Sequence, residues 1–417
     1  MSLETLKETG SAVGAVAAPQ RRTVRGLPRS LRSILSLSDF EKHAKRRLPK
    51  PIFSYVSSGV EDEHGLREAR HAFQDYLIVP RFMNDVTNRS QITYLFGKTY
   101  AAPFGIAPMG ICAMSAYQGD ISLAEAARDA NIPMVISGSS LVRLEDIATA
   151  NPDAWFQAYL PPTLPQIEQL LDRAIASKIT TLVITVDTAI GANRENNLRN
   201  GFSTPLRPDL NLIWQGITHP RWTVETFFKT LLFRGMPHFE NSYATRGVPI
   251  VARNIEREFS GRAHLTWEHV KQIRTYWKGT LVIKGILSPG DALAARDAGA
   301  DGIIVSNHGA RQFDAAISSL QALPPIVEAV TDIPIMLDGA IRRGSDVLKA
   351  IGLGARFVFV GRPFTYAAAV AGRTGVSHAI TILKDEVHRG MGQIGITHLG
   401  DMTRDRLVAR SDGSRRT

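Results

Sequence analysis

Eight short apolar runs, each followed by an amphipathic stretch, constrain this chain more than any other feature. They are "FGIAP" (104–108), "PMVIS" (133–137), "WFQAY" (155–159), "TLVITVD" (181–187), "LVIKG" (281–285), "GIIVS" (302–306), "PIMLDG" (334–339) and "FVFVG" (357–361). Continuous apolar runs of this length read as strands buried on both faces, as in a parallel sheet. Between them, "GDISLAEAARDA", "TLPQIEQLLDRAIAS", "SPGDALAARDAG" and "RGSDVLKAIGLG" have helical spacing, and several open on Ser or Asp and close on Gly. Eight such units predict an α/β fold, a (β/α)8 TIM barrel.

The rhythm breaks once. Residues 188–280, between the fourth and fifth runs, far exceed a βα loop and its helix. Within this insertion, "WTVETFFKTLLFRGM" (222–236) mixes Trp222, Phe227, Phe228, Leu231, Leu232 and Phe233 with basic residues. It reads either as a helix packed on the barrel or a neighbouring subunit, or as a helix lying in a membrane interface. The stretch 200–265 is therefore a candidate for membrane or partner contact. Ahead of the barrel, "SLSDFEKHAKRRL" predicts the start of an N-terminal helical extension, capped by Ser38 with Glu41 three residues on. Residues 1–36 read as a disordered basic extension, 37–400 as the barrel domain, and 401–417 as a basic tail.

The formal net charge of +10 would suit a nucleic-acid partner, but its placement does not. Residues 1–33 hold six Lys/Arg and two Glu, and residues 404–417 hold five Arg and two Asp, so the ends carry +4 and +3 and the body only +3. No basic patch on a folded body follows, and no nucleic-acid partner is expected. No uncharged apolar run is long enough to span a bilayer, and the N-terminus lacks a secretory pattern. The single cysteine, Cys112, excludes an internal disulfide, fits a reducing, cytoplasmic compartment, and in "MGICAM" reads as core filler.

In a barrel of this type chemistry gathers at the C-terminal ends of the strands. Those ends carry Ser137, Gln157, Tyr159, Thr185, Asp187, Lys284, Ser306 to Arg311, Asp338, and Gly361 with Arg362. The loops "DGAIRRG" (338–344) and "GRP" (361–363) combine small residues with arginines where barrels commonly bind phosphate. A phosphorylated cofactor across the barrel mouth is expected; no metal site is.

"SNHGARQFD" (306–314) resembles the active-site signature of the FMN-dependent α-hydroxy acid dehydrogenases and oxidases. The likeness runs from about 37 to 400 and includes "LPKPIFSYVSSGVEDE", "FQAYL", "TVDTAIGANRE", "VIKGIL" and "LDGAIRRGSDV". It implies FMN as cofactor, His308 as catalytic base, Asp187 as its paired carboxylate, and Arg311 and Arg194 as the arginines that bind the substrate carboxylate. Tyr55 and Tyr159 match tyrosines that hydrogen-bond substrate. Pro108, Met109 and Gly110 match the segment beside the flavin ring; Ser137, Gln157 and Thr185 match hydrogen-bonding positions around it; Lys284 matches the lysine near N1. Ser306, Asp338, Gly339, Arg342, Gly361 and Arg362 match ribityl and phosphate contacts.

The chemistry explains those residue types. Two guanidinium forks fix a carboxylate in charge and orientation. A neutral histidine takes a proton and a neighbouring carboxylate stabilises the imidazolium that forms. A lysine beside the flavin offsets the negative charge of its reduced state. Gly309 is expected to let the backbone come close without a clashing side chain.

Two positions depart from the glycolate oxidase-like pattern: Gly110 stands where oxidases carry alanine, and Ser139 where they carry tryptophan. "THPRW" and "GMPHFEN" resemble the loop of membrane-bound lactate and mandelate dehydrogenases of bacteria. The expectation is therefore dehydrogenation of an L-2-hydroxy acid, with a quinone or other electron acceptor and peripheral contact, through 200–240, with the inner face of the cell membrane. The resemblance also implies a homo-oligomer, a tetramer. An oxidase forming hydrogen peroxide is the alternative; a flavin-dependent isomerase has no use for paired substrate arginines, and a non-catalytic flavin module none for an intact His308–Asp187 pair.

Overall fold

Residues 27–207, 209–251 and 262–410 are described by a computed structural model. Each of the eight apolar runs forms a strand: β1 (Phe104–Ile106), β2 (Val135–Ser137), β3 (Trp155–Ala158), β4 (Thr181–Thr185), β5 (Thr280–Ile286), β6 (Gly302–Val305), β7 (Ile335–Asp338) and β8 (Phe357–Val360). All neighbouring pairs are parallel. The sheet runs from β1 through β8 back to β2, and a parallel bridge from Ile106 to Met134 closes the ring.

Alternate side chains of the strands fill the barrel with Val135, Trp155, Val183, Val282, Ile304, Met336, Phe357 and Phe359. A hairpin of Thr93–Leu95 and Lys98–Tyr100 plugs the N-terminal end, adding Leu95, Tyr100 and the partly buried Phe96 to this core. Its two turn residues, Phe96 and Gly97, both have left-handed φ, of 48° and 77°, which matches the twist of a tight hairpin. Gly302 makes room for the plug: a Cβ there would lie 2.6 Å from the Phe96 ring. The hairpin thus seals the bottom of the barrel core and leaves the C-terminal mouth open.

The N-terminal helices close part of that mouth. The first, Leu37–Arg47, is capped two residues earlier than expected. Ser36, not Ser38, is the N-cap; its backbone N–H and its hydroxyl both donate to Asp39 Oδ2, at 3.0 and 2.8 Å. This start puts Leu37, Phe40 and Ala44 on one buried face. The disordered extension expected over 1–36 is shorter on its C-terminal side, while 1–26 lie outside the described residues. Leu31 and Ile34, three apart, are buried, and Ile34 O contacts His378 Nε2 at 2.9 Å in the C-terminal helical segment Arg362–Ile394, which breaks at Ala371 and Gly372. The basic tail expected over 401–417 is likewise anchored in its first half. Leu407–Ala409 pairs antiparallel with Tyr76–Ile78, because Leu407 buries its side chain there; residues 411–417 lie outside the described residues.

The aromatic helix of the insertion has a buried side, as a helix packed on the barrel would, and an exposed apolar side. Trp222, Thr226 and Thr230, spaced by four, face inward and are buried, and Trp222 Nε1 donates to Met114 O at 2.7 Å. A π-helical turn over Thr223–Phe228 separates Pro220–Trp222 from Lys229–Arg234. On the outer side Val224, Phe228, Leu232 and Phe233 are exposed, beside Leu210, Ile213, Trp214 and Ile217 of the helix Leu210–Thr218. No helix among the described residues is long and apolar enough to cross a membrane.

Candidate active site

At the mouth lies a cavity of about 480 Å³. Every predicted site residue lines it except Asp187, Ser137 and Ser306. These three stand one layer back and hold residues that do reach it. Asp187 Oδ1 contacts His308 Nδ1 at 2.8 Å. Ser306 Oγ accepts from Lys284 Nζ at 2.9 Å and from the His308 N–H at 3.0 Å. Ser137 Oγ accepts from the Ser139 N–H at 3.1 Å. Both serine hydroxyls accept these bonds from neighbours and so brace the wall of the cavity.

The signature loop after β6 has an uncommon backbone. His308, Gly309 and Ala310 are all left-handed, with φ of 57°, 65° and 57°. Such a run needs external support, and the Ala310 N–H supplies part of it by donating to Asn307 O at 2.9 Å. The turn aims His308 Nε2 at the Tyr159 hydroxyl, 3.4 Å away, while Nδ1 faces Asp187. Gly309 serves a neighbour in the protein: a Cβ would lie 2.9 Å from Arg362 Nη1, and Gly309 O accepts from Arg362 Nη2 at 2.8 Å. The final Asp314 binds the N-terminal extension, its carboxylate accepting from the N–H groups of His64 and Gly65.

Two arginines, Arg362 buried and Arg311 half-buried, tie that extension to the barrel. Arg362 donates to Val56 O and Ser58 O, and Arg311 Nη1 donates to Ser58 O at 2.8 Å, at the end of the helix Lys50–Ser57 that carries Tyr55. The Arg311 guanidinium lies 4.9 Å from the Tyr55 ring centre. Arg194 donates to Gln312 Oε1 at 2.9 Å, and Gln312 Nε2 donates to Asp187 O at 3.1 Å. Gln312 thus joins Arg194 to Asp187, the histidine's partner, a link that its place in the motif alone did not reveal.

Electrostatics divide the site in two. Lys284 Nζ sits 3.1 Å from Asp338 Oδ2. Burial opposes its charge, but Asp338 and Asp187 outweigh burial and hold its pKa above the ordinary lysine value. Burial lowers the His308 pKa below its ordinary 6.5, against the pull of Asp187. Burial also works against the Asp187 carboxylate, yet His308 and Lys284 keep it ionised with a lowered pKa. Burial, with Arg194 close by, brings Arg311 down to about 9, and burial beside Arg362 brings Arg342 down to about 10. Among the described residues none of Arg194, Arg311, Arg342 and Arg362 has a carboxylate partner. Desolvated cations of this kind call for anionic ligands.

The residues present fit FMN. Arg342 and Arg362, with Gly361 at the start of a helix, would suit the phosphate. Gln157 Nε2 and Asp338 Oδ1 are buried with no protein partner, as hydrogen-bonding groups for a polar ring and its ribityl chain would be.

A closed parallel barrel whose mouth gathers arginines without carboxylate partners, a buried lysine and an imidazole–carboxylate pair has the features of a flavin-dependent oxidoreductase. The sequence matches the FMN-dependent dehydrogenase family over residues 44–409, and the chain belongs to that family. It acts on a CH–OH group with FMN as cofactor. It is 36% identical to (S)-mandelate dehydrogenase of Pseudomonas putida, covering 90% of this chain and 94% of that protein. It is 37% identical to L-lactate dehydrogenase of Stenotrophomonas maltophilia (strain K279a), covering 90% and 99%. Among solved structures it resembles the monotopic membrane protein (S)-mandelate dehydrogenase, with a TM-score of 0.83, 34% identity and coverage of 91% and 100%. A mandelate oxidase variant with 2-hydroxy-phenylacetamide gives a TM-score of 0.74 at 33% identity, covering 90% and 98%.

Proposed function

We propose that this chain oxidises an L-2-hydroxy acid, lactate- or mandelate-like in its hydroxycarboxylate head, to the 2-keto acid, and passes the electrons to a quinone or other acceptor. FMN-dependent oxidation of a 2-hydroxy acid is the activity of the family members it matches. The observation that carries the finer reading is the arrangement of Arg311 and Arg194, without carboxylate partners, around an imidazole backed by Asp187. The two arginines bind the substrate carboxylate, and Tyr55 and Tyr159 hydrogen-bond the bound acid, so that the reacting carbon is held in one pose. His308 takes a proton at Nε2, and Asp187 stabilises the imidazolium through Nδ1. Bound FMN supplies a two-electron acceptor. The same base serves whether the proton leaves Cα or the hydroxyl.

Gly110 supports dehydrogenase over oxidase chemistry, because glycolate oxidase-like members carry alanine at this position. A Cβ at Gly110 would lie 2.9 Å from Ser139 Cβ and 3.1 Å from the Tyr55 hydroxyl. The test is anaerobic addition of L-lactate and L-mandelate to the yellow holoenzyme, followed by air. Bleaching that persists in air until a quinone or dye is added supports the proposal. Rapid return of colour with peroxide formed makes the protein an oxidase, and no bleaching by any 2-hydroxy acid overturns the reading.

The pH dependence follows from the two titrating partners. Because burial lowers the His308 pKa, kcat/KM for flavin reduction should stay flat through neutrality and fall only below the ordinary histidine range. Asp187→Asn removes the group that raises the His308 pKa. Its acid limb should move to still lower pH while the plateau rate drops by about 100-fold or more. An acid limb that moves to higher pH would contradict this coupling.

The exposed apolar face of the insertion supports attachment to the membrane's inner face as a peripheral protein. Leu232 is 79% exposed and Phe233 64%. Each such side chain contributes about 1.5–3 kcal/mol when buried in an apolar phase. The wild type should sediment with anionic vesicles, and Leu232→Glu with Phe233→Glu should shift it to the supernatant, lowering the partition coefficient about 100-fold or more. Turnover with a soluble dye should persist. Wild-type protein wholly in the supernatant at low salt would refute membrane attachment.

A further inference from the structure

We propose that Arg262 binds a second anionic group on the substrate, so that the preferred acid is a 2-hydroxy dicarboxylate. The inference rests on 2-hydroxy acid oxidation at this site and specifies the far end of the molecule. Its basis is a charge left over. Arg342 and Arg362 suit the cofactor phosphate, Lys284 is paired with Asp338, and Arg194 and Arg311 suit the substrate carboxylate. Arg262 also lines the cavity and has no assigned anion. Its Nε donates to Leu160 O at 3.1 Å, and its guanidinium lies 5.1 Å from the Tyr159 ring centre. Among the described residues no hydrogen bond engages either terminal nitrogen and no carboxylate pairs with it.

The place of Arg262 is specific. Tyr159 meets His308 Nε2 through its hydroxyl and Arg262 through its ring face, so the cation lies across one tyrosine from the proton-transfer atom. Ser139, small and polar, also lines this cavity, and leaves space that an indole would fill. A half-buried guanidinium keeps its charge at a desolvation cost, which a carboxylate with fork geometry offsets and a methyl or phenyl group does not.

The test uses the full-length holoenzyme and two matched pairs: L-malate against L-2-hydroxybutyrate, and L-2-hydroxyglutarate against L-2-hydroxyvalerate. Anaerobic flavin reduction gives kcat/KM, and spectral titration of the oxidised enzyme with the corresponding 2-keto acids gives Kd. At least one diacid should exceed its monoacid tenfold or more in both. Arg262→Gln should lower that ratio about 10- to 100-fold, and Arg262→Lys less. Monoacids or L-mandelate preferred by the wild type, or a ratio unchanged in Arg262→Gln, overturns the role of Arg262 while leaving hydroxy acid oxidation intact. Bleaching by neither series removes the underlying activity, and this proposal with it.

Discussion

Asparagine in place of His308 is expected to slow anaerobic flavin reduction by about 1,000- to 10,000-fold, the upper range for loss of a general base. Asparagine suits the test because His308 is left-handed at φ 57°, a conformation that asparagine adopts readily. Its amide can also still donate toward Asp187, so the loop keeps its anchor, while nothing replaces Nε2. The substrate arginines are untouched. Flavin content and the Kd for a 2-keto acid should therefore remain near wild type while the reduction rate collapses. A rate within tenfold of wild type would show that another group removes the proton.

Arg311→Met should cost about 100- to 10,000-fold in kcat/KM, the range for losing a buried, charge-assisted contact to a carboxylate. Methionine preserves part of the stem packing on Tyr55 but deletes the fork and the bond to Ser58 O. Burial has already brought this guanidinium down to about 9, so the free site holds a cation that an incoming carboxylate relieves. The loss should appear in KM and in kcat, because the fork both binds the acid and orients the reacting carbon. Arg311→Lys should recover only part, since an ammonium cannot make the two parallel bonds. FMN content separates this from collapse of the site, because the proposed phosphate end, at Arg342 and Arg362, is left intact. An unchanged KM would place the substrate carboxylate elsewhere.

The eight strands lie within two residues of the apolar runs that announced them, from Phe104–Ile106 to Phe357–Val360. A strand buried on both faces must be apolar throughout, so burial is written locally and can be read locally. The motif carrying His308 and Arg311 was legible for a related reason: both are fixed by a single tight loop of a few residues. The exposed and buried faces of 220–234 were not. Trp222, Thr226 and Thr230 turn inward only because Met114 and its surroundings accept them there.

Tertiary structure alone decided which distant groups meet. Nothing around Ser306 says that its hydroxyl accepts from Lys284, which comes from a different strand. Nothing around Gln312 or Arg262 marks the one as the link between Arg194 and Asp187, or the other as a cation on the face of Tyr159. Local periodicity determined the barrel and its order of strands. Closure of the ring and the fold of the long insertion brought residues a hundred positions apart into one cavity, and contacts of that kind depend on register and packing, which no single stretch of sequence contains.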